Sequence, residues 1–291
     1  MGSFDGNFYA ISVAGKRQWR FSTTEDFLAS AAVVDGIVYA GNYDGNLYAL
    51  DARTGDLRWQ VNINPGASAP NVVDGIVYIG SLDGNVYALN ASDGTERWRF
   101  ASGSQIFTSP AVANGVVYVA DGVGFLIAID AASGTEIWRQ AVGGAYSSPA
   151  VVDGVVYVGS MINSFYALDA ATGAVNWIVL TGDSVLSSPA VADGTVYFGS
   201  NDGNLYAVDA ATGVGRWSFA TGGAVSSSPA LTAGLVYVGS AAGTLTALNR
   251  ETGELRWQAP LDGGVQSSPV VVNGVIYVGC DDGRLYAFDV P

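Results

Sequence analysis

The side chains able to do chemistry in this chain are few, and nearly all of them stand at repeated positions. The 291 residues include no histidine and a single cysteine, Cys280. Imidazole acid–base catalysis, histidine–metal sites, haem attachment through paired cysteines and an intramolecular disulfide are therefore excluded. Of the glutamates, Glu96, Glu136, Glu251 and Glu254 lie in or beside repeated Thr-Gly-type turns and Glu25 stands alone, so no carboxylate pair is set for acid–base work. Asp51, Asp130, Asp169 and Asp209 recur in an Ala-Leu-Asp-Ala-like step. Such a series could suggest calcium, but aspartate beside a turn caps backbone N–H groups, and that role is expected here. The hydroxyls of Ser147, Ser187, Ser227 and Ser267 recur in Ser-Ser-Pro steps, where crowding of inner strands asks for small residues anyway. Cys280 reads as a Ser-like strand-end position. No catalytic residue and no metal site is expected.

What positions these residues is a repeat. The stretch Leu47 to Trp59 places Ala49, Gly55 and Trp59 in a strand, a tight turn and the start of a second strand. The trio returns as Ala88/Gly94/Trp98, Ala128/Gly134/Trp138, Ala167/Gly173/Trp177, Ala207/Gly213/Trp217 and Ala247/Gly253/Trp257. A shortened copy runs from Ala10 through Gly15 to Trp19, and a truncated one begins at Leu285. All seven tryptophans belong to this series, spaced 39 or 40 residues apart. A fixed period of that length means an array of one supersecondary unit.

Composition agrees with short buried strands joined by tight turns: 49% of residues are apolar, 39 are glycine, and only 13% are charged. The formal charge of −14 repels phosphate backbones and anionic lipid, and the arginines are spread one per repeat beside the tryptophans. Nucleic-acid partners are not expected. Nor is membrane insertion, because no apolar run reaches the ~18 residues that a spanning helix needs. The residues as written carry no secretion signal, which leaves the compartment open.

Each period holds four apolar segments. In the clearest copy they start at Ser147, Val155, Ser164 and Ala174, and four short strands per period make a propeller blade. Asp-Gly or Asn-Gly joins the first two strands at Asp35, Asp74, Asn114, Asp153, Asp193 and Asn273, with Ala233-Gly234 in the sixth repeat, so Gly is the constant member. The expected fold is an all-β, seven-bladed β-propeller of four-stranded antiparallel blades in one domain. Residues 1–22 supply closing strands, 23–262 six full blades, and 263–291 a partial blade that the N-terminal strand bearing Trp19 completes. Phe8 to Ile11 and Leu285 to Asp289 both have third-strand sequence and compete for one place there.

The pattern AxDxxTGxxxW resembles the tryptophan-docking motif of bacterial quinoprotein-type (PQQ-like) β-propeller repeats, over essentially the entire chain. The resemblance implies that Trp19, Trp59, Trp98, Trp138, Trp177, Trp217 and Trp257 dock against the neighbouring blade near the Ala and Gly of the motif. Buried area favours this too, since an indole hides on the order of 200 Å² and its N–H still needs a partner. Quinone-dependent alcohol dehydrogenases of that family carry a vicinal disulfide, a calcium site and eight blades. One cysteine, seven blades and no inserted segment set this chain apart, and the resemblance then points to the non-catalytic branch without cofactor. That branch includes the outer-membrane assembly lipoprotein scaffold of Gram-negative bacteria and sensor regions of receptor-like kinases, which implies a periplasmic or extracellular location.

Function is sought where repeats disagree. Call the side of each blade that carries the second-to-third-strand turn and the loop entering the blade its top. Phe107, Tyr146 and Leu186 make consecutive entry loops apolar, and the usual polar turn becomes Val123-Gly124-Phe125 and Met161-Ile162-Asn163 in two blades. Phe107, Phe125, Tyr146, Met161, Ile162 and Leu186 are therefore the expected binding patch, against a background of ordinary loop drift. The expectation is a monomeric binding or scaffold propeller that meets a protein partner or small ligand on this top face. The alternatives are a quinone (PQQ)-dependent oxidoreductase-like protein and a recently amplified or engineered repeat with no selected ligand.

Overall fold

The computed structural model describes residues 1–290, and among them every regular element is a strand. The fold class is the expected one, an all-β, seven-bladed β-propeller. Six blade sheets have four antiparallel strands, the seventh has three, and a separate two-stranded sheet precedes them. The chain divides into two compact units, Met1–Ala141 and Val142–Pro291. The first holds the two-stranded sheet and blades one to three; the second holds blades four to seven.

Blade four shows how the sequence makes a sheet. Its strands are Ala150–Val152, Val155–Gly159, Ser164–Asp169 and Val175–Leu180. Asp153 and Gly154 join the first two with φ of 50° and 77°, the left-handed pair that a two-residue hairpin needs. The same two-residue turn recurs at Asp35-Gly36, Asp74-Gly75, Asn114-Gly115, Asp193-Gly194 and Asn273-Gly274. Blade six departs from this. Neither Ala233 nor Gly234 takes positive φ, the first strand shrinks to Ala230–Leu231, and the Thr232 N–H donates to the Leu235 carbonyl instead. Gly is constant in the sequence there, but its left-handed role is not, because alanine cannot share it.

A bulge marks each third-to-fourth ladder. Ala167 faces Trp177 and Leu168 then faces Val175, so Asn176 is the extra residue. The same shift occurs beside Trp59, Trp98, Trp138, Trp217 and Trp257.

Core layers form between successive sheets. One face of blade one, with Tyr39, Leu47, Ala49 and Trp59, packs on Val77, Ile79, Tyr87 and Leu89 of blade two. Blade four offers Tyr157, Phe165 and Ala167 to Val196, Phe198 and Val208 of blade five in the same way. Burying such Val, Leu and Phe side chains stabilises each layer by roughly 1.5–3 kcal/mol per residue.

The strand bearing Trp19, Arg17–Ser22, pairs with Asn7–Ile11, and Leu285–Asp289 pairs with Val275–Gly279 in a three-stranded sheet without a fourth. Asn7–Ile11 and Leu285–Asp289 thus lie in different sheets. Each has a hairpin partner adjacent in sequence, so its ladder closes over a short loop at small entropic cost.

Candidate functional site

The tryptophan clasp is the most repeated arrangement, and it is structural. Within a sheet, each Trp stands opposite the Ala of its own motif. Its ring, however, lies on the Gly of the next motif: a Cβ at Gly55, Gly94, Gly134, Gly213 or Gly253 would sit 2.7–2.8 Å from Trp19, Trp59, Trp98, Trp177 or Trp217 respectively. The indole N–H of those five tryptophans donates to the carbonyls of Ala52, Ala91, Ala131, Ala210 and Arg250 at 2.9–3.1 Å. At these positions the ring and N–H of one motif meet the Gly and a carbonyl beside the next motif. Trp138 faces Ala128 and lies 5.9 Å from Tyr118, and Trp257 meets Phe288 edge-on at 5.1 Å.

A second group, not singled out in the sequence, shares the clasp. The hydroxyls of Tyr39, Tyr78, Tyr157 and Tyr197 donate to the same carbonyls of Ala91, Ala131, Ala210 and Arg250. Burial raises the pKa of each of these phenols, so they act as neutral donors. The fixed Tyr before each strand-two Val, Ile, Ala or Phe was the available signal.

The repeating aspartates are caps. Asp169 Oδ1 accepts from the N–H groups of Ala171 and Thr172, and Asp51, Asp130 and Asp209 do the same one turn on. The Arg58 and Arg216 guanidiniums, with those turn N–H groups, hold Asp51 and Asp209 at about 2. Ser147, Ser187, Ser227 and Ser267 each accept the N–H of the glycine at or next to the end of strand two, and the first three are buried. Cys280 occupies the place that Ser160, Ser200 and Ser240 hold in other blades.

The tops of the blades differ more. In blade five the turn Asp202-Gly203-Asn204 is a closed polar unit. Tyr206 donates to Asp202 Oδ2 at 2.6 Å, while the N–H of Asn204 donates to Oδ1 and that of Gly182 to Oδ2. Burial would raise the Asp202 carboxyl, but these donors outweigh it and hold the group below its ordinary range; burial and the Asp202 bond push Tyr206 up to about 12. The same Asp–Tyr bond, 2.5–2.6 Å, joins Asp5 to Tyr9, Asp44 to Tyr48, Asp83 to Tyr87 and Asp282 to Tyr286.

Blade four breaks this unit. Ile162 stands in the aspartate's place, so Tyr166 loses its acid partner, and Asn163 takes the glycine's left-handed conformation with φ of 59°. Met161 and Ile162 instead lie across the entry loop. The Met161 N–H donates to the Gly144 carbonyl, and a Cβ on Gly143 would overlap Ile162 Cδ1. Consecutive positive φ at Gly143 and Gly144 lets that loop pass beneath them. Tyr146 ends the same loop. Exposure of 44%, 48% and 58% at Tyr146, Met161 and Ile162 makes a local apolar surface on two touching loops.

The other expected patch residues fare differently. Leu186 is half-buried in the loop entering blade five. In blade three, Phe107 is half-buried, with its ring against Gly122. Phe125 packs against the blade's core cluster, and the Arg139 guanidinium lies 5.6 Å from its ring centre. The exposed apolar residue of that turn is Val123, at 66%. Its neighbour Asp121 is buried, caps Gly124 and Phe125 through Oδ1, and has no partner for Oδ2 among the described residues.

No group of three or more His, Cys, Asp or Glu side chains is placed to hold a metal ion among the described residues. No helix among them is long and apolar enough to cross a membrane.

Comparison with known proteins bears on this arrangement. The family model described as outer membrane protein assembly factor BamB matches residues 5–109, 82–224 and 202–291, and the chain belongs to that family. No curated protein matches it in sequence. Among solved structures it is similar to BamB from Moraxella catarrhalis, with a TM-score of 0.84, 22% identity, and coverage of 99% of this chain and 92% of that one. It is also similar to the computationally designed Ika8 protein, with a TM-score of 0.87, 18% identity, and coverage of 99% and 92%. A quinohemoprotein alcohol dehydrogenase from Comamonas testosteroni superposes with a TM-score of 0.80 at 17% identity, over 98% of this chain and 71% of that one. At these identities the likenesses show the fold.

Proposed function

We propose that this member of the family is a non-catalytic, single-domain scaffold for protein–protein contact, acting in outer-membrane protein assembly and engaging its partner through the top of blade four. Membership of the family carries the assembly role. The observation that carries the site is the replacement of a closed Asp–Tyr turn by exposed Met161 and Ile162 beside Tyr146. Apolar and aromatic side chains grouped on an otherwise polar rim are what a partner's anchoring residues bury against. The double glycine beneath them allows the left-handed turns that bring the entry loop against Met161 and Ile162.

The test uses the full chain in Gram-negative cells lacking their own family member. A photo-reactive amino acid at Ile162 should cross-link to a component of the outer-membrane assembly machinery, and folded outer-membrane proteins should recover. Ile162→Asp with Tyr146→Ser should lose both while the chain stays folded. Recovery that is indifferent to these changes would remove the site but keep the family role, and cross-linking to a small ligand alone would replace the protein partner.

Quinone-dependent oxidation has the fold likeness to the dehydrogenase behind it. The donor set does not fit that chemistry: Cys280 is the one cysteine, and no cluster of metal-ligating side chains stands among the described residues. Quinone and calcium titration followed by dye reduction is the measurement that would restore it.

A further inference from the structure

Blade four departs from the other blades a second time, along the edge of its sheet. In each of the six four-stranded blades the fourth strand has a ladder on one side only. The other side presents unpaired N–H and C=O groups, which natural edge strands protect with charged side chains or proline. Five blades follow that rule, with Arg58, Arg97 and Arg99, Arg139, Arg216 and Arg256 on their fourth strands. Val175–Leu180, with the sequence Val-Asn-Trp-Ile-Val-Leu, has no charged residue. Ile178 stands where Arg99 and Arg139 stand in blades two and three, and Leu180 where Ala101, Ala141 and Ala220 stand in blades two, three and five. Val175, Ile178 and Leu180 are 40%, 48% and 78% exposed.

The register identifies which main-chain groups point away from the sheet. The Thr181 N–H donates to the Asn163 carbonyl, and the ladder continues with Leu180 facing Ser164, Val179 facing Phe165 and Ile178 facing Tyr166. Bonded and non-bonded pairs alternate in an antiparallel ladder, so Val179 bonds inward while Ile178 and Leu180 turn their N–H and C=O outward. Blade six agrees: Pro260, which has no N–H, faces Thr244 at the position of Leu180 and leaves the ladder intact. The edge also adjoins the top of the blade. Leu180 faces Ser164, two residues along the strand from exposed Ile162, so apolar surface runs from the turn onto the uncharged edge.

We propose that this edge takes up an extended strand of the protein partner, which adds to blade four alongside Val175–Leu180 as a fifth strand. The proposal rests on the reading of the blade-four top as a partner surface, and it specifies the segment that meets it. That segment is extended and uncharged, with apolar residues at alternate positions. Its main chain bonds to the outward groups of Ile178 and Leu180, and its side chains cover theirs. On the other five fourth strands a guanidinium would have to give up water beneath the added strand, which directs the segment to blade four.

The test places a photo-reactive amino acid at Ile162 or at Ile178 of the full chain, in Gram-negative cells lacking their own family member. Both positions should cross-link to the same component of the outer-membrane assembly machinery, identified by mass spectrometry. Leu180→Pro removes one outward N–H where blade six already carries proline, whereas Leu180→Ala keeps that N–H and copies blades two, three and five. With the reactive group at Ile162, Leu180→Pro should lower the cross-link yield about fivefold to tenfold, as for a lost main-chain hydrogen bond, and Leu180→Ala should lower it less. Ile178→Arg, which copies Arg99 and Arg139, should lower it at least as far as the proline, with the thermal melts of all three variants unchanged. Cross-linking from Ile162 that persists through Leu180→Pro and Ile178→Arg, with none from Ile178, overturns the added strand and leaves the top of the blade as the partner's site. No cross-link from either position overturns both readings. Equal losses with proline and alanine overturn the added strand, since side chains alone would then hold the partner. So does cross-linking from Ile178 to a second copy of the chain.

Discussion

Blades four and five have superimposable strand plans and opposite chemistry at their tops. Both pair a motif Ala with a Trp beside a bulge, and both fasten that Trp and a strand-two Tyr to one carbonyl of the next blade. At the second-to-third turn, however, blade five closes on itself through Asp202 and Tyr206, while blade four leaves Ile162 and Met161 exposed. The difference teaches that the clasp and the top vary independently. Despite the missing Asp–Tyr bond at Tyr166, the third strand of blade four, Ser164–Asp169, is more buried than its neighbour's.

The comparison breaks most readily at the clasp. Trp177→Ala and Trp217→Ala should each cost about 3–5 kcal/mol, seen as a fall in denaturation midpoint in urea. Unequal losses from the two would show that the blades are not fastened alike. Gly213→Ala adds a Cβ at φ of 73° within 2.7 Å of the Trp177 ring and should cost about 1–3 kcal/mol by the same measurement. At the tops the effect is smaller and unequal. Tyr206→Phe should cost about 1 kcal/mol, because it removes one of the two donors to Asp202 Oδ2 and leaves only the Gly182 N–H, and Tyr166→Phe should cost almost nothing. Equal costs would mean that the Asp202 bond contributes little.

The smallest effect is in pH dependence. Asp202 is held below its ordinary range in the folded state, so the stability it supplies is present above the unfolded carboxylate range and lost as pH falls through the lowered value. Tyr206, raised to about 12, supplies stability that is present below the ordinary phenol range and lost as pH rises toward that value. Asp202→Ile, which copies blade four, should flatten the acid limb and reduce the size of the alkaline loss in pH-dependent thermal melts. Unchanged limbs would assign the pH dependence to the other Asp–Tyr pairs.

Much of this was legible in residue spacing. Asp-Gly and Asn-Gly turns, the motif Ala, Gly and Trp, and the capping aspartates are local or strictly periodic, and periodicity survives translation into structure. The receiving partner of each Trp was legible only in part. Ala49 faces Trp59 within the sheet, but Gly55 receives Trp19, and only the stacking of sheets reveals which copy meets which. The pairing of the two third-strand copies was not legible, since Leu285–Asp289 and Asn7–Ile11 have the same strand sequence and each takes the partner nearest in the chain. Nor was burial at the tops. Phe107 and Phe125 have the residue type of a binding patch, yet one lies on Gly122 and the other on its blade's core, whereas Tyr146, Met161 and Ile162 are held outward by Gly143 and Gly144.

The single carbonyl that receives both a Trp and a Tyr has a consequence for descent. A main-chain oxygen places no demand on the side chain that carries it, and Arg250 serves where Ala91, Ala131 and Ala210 serve elsewhere. A duplicated or transplanted repeat of the same length brings its own acceptor and meets its predecessor's Trp without any compensating substitution. Blades joined in this way can be multiplied first and specialised afterwards, one turn at a time.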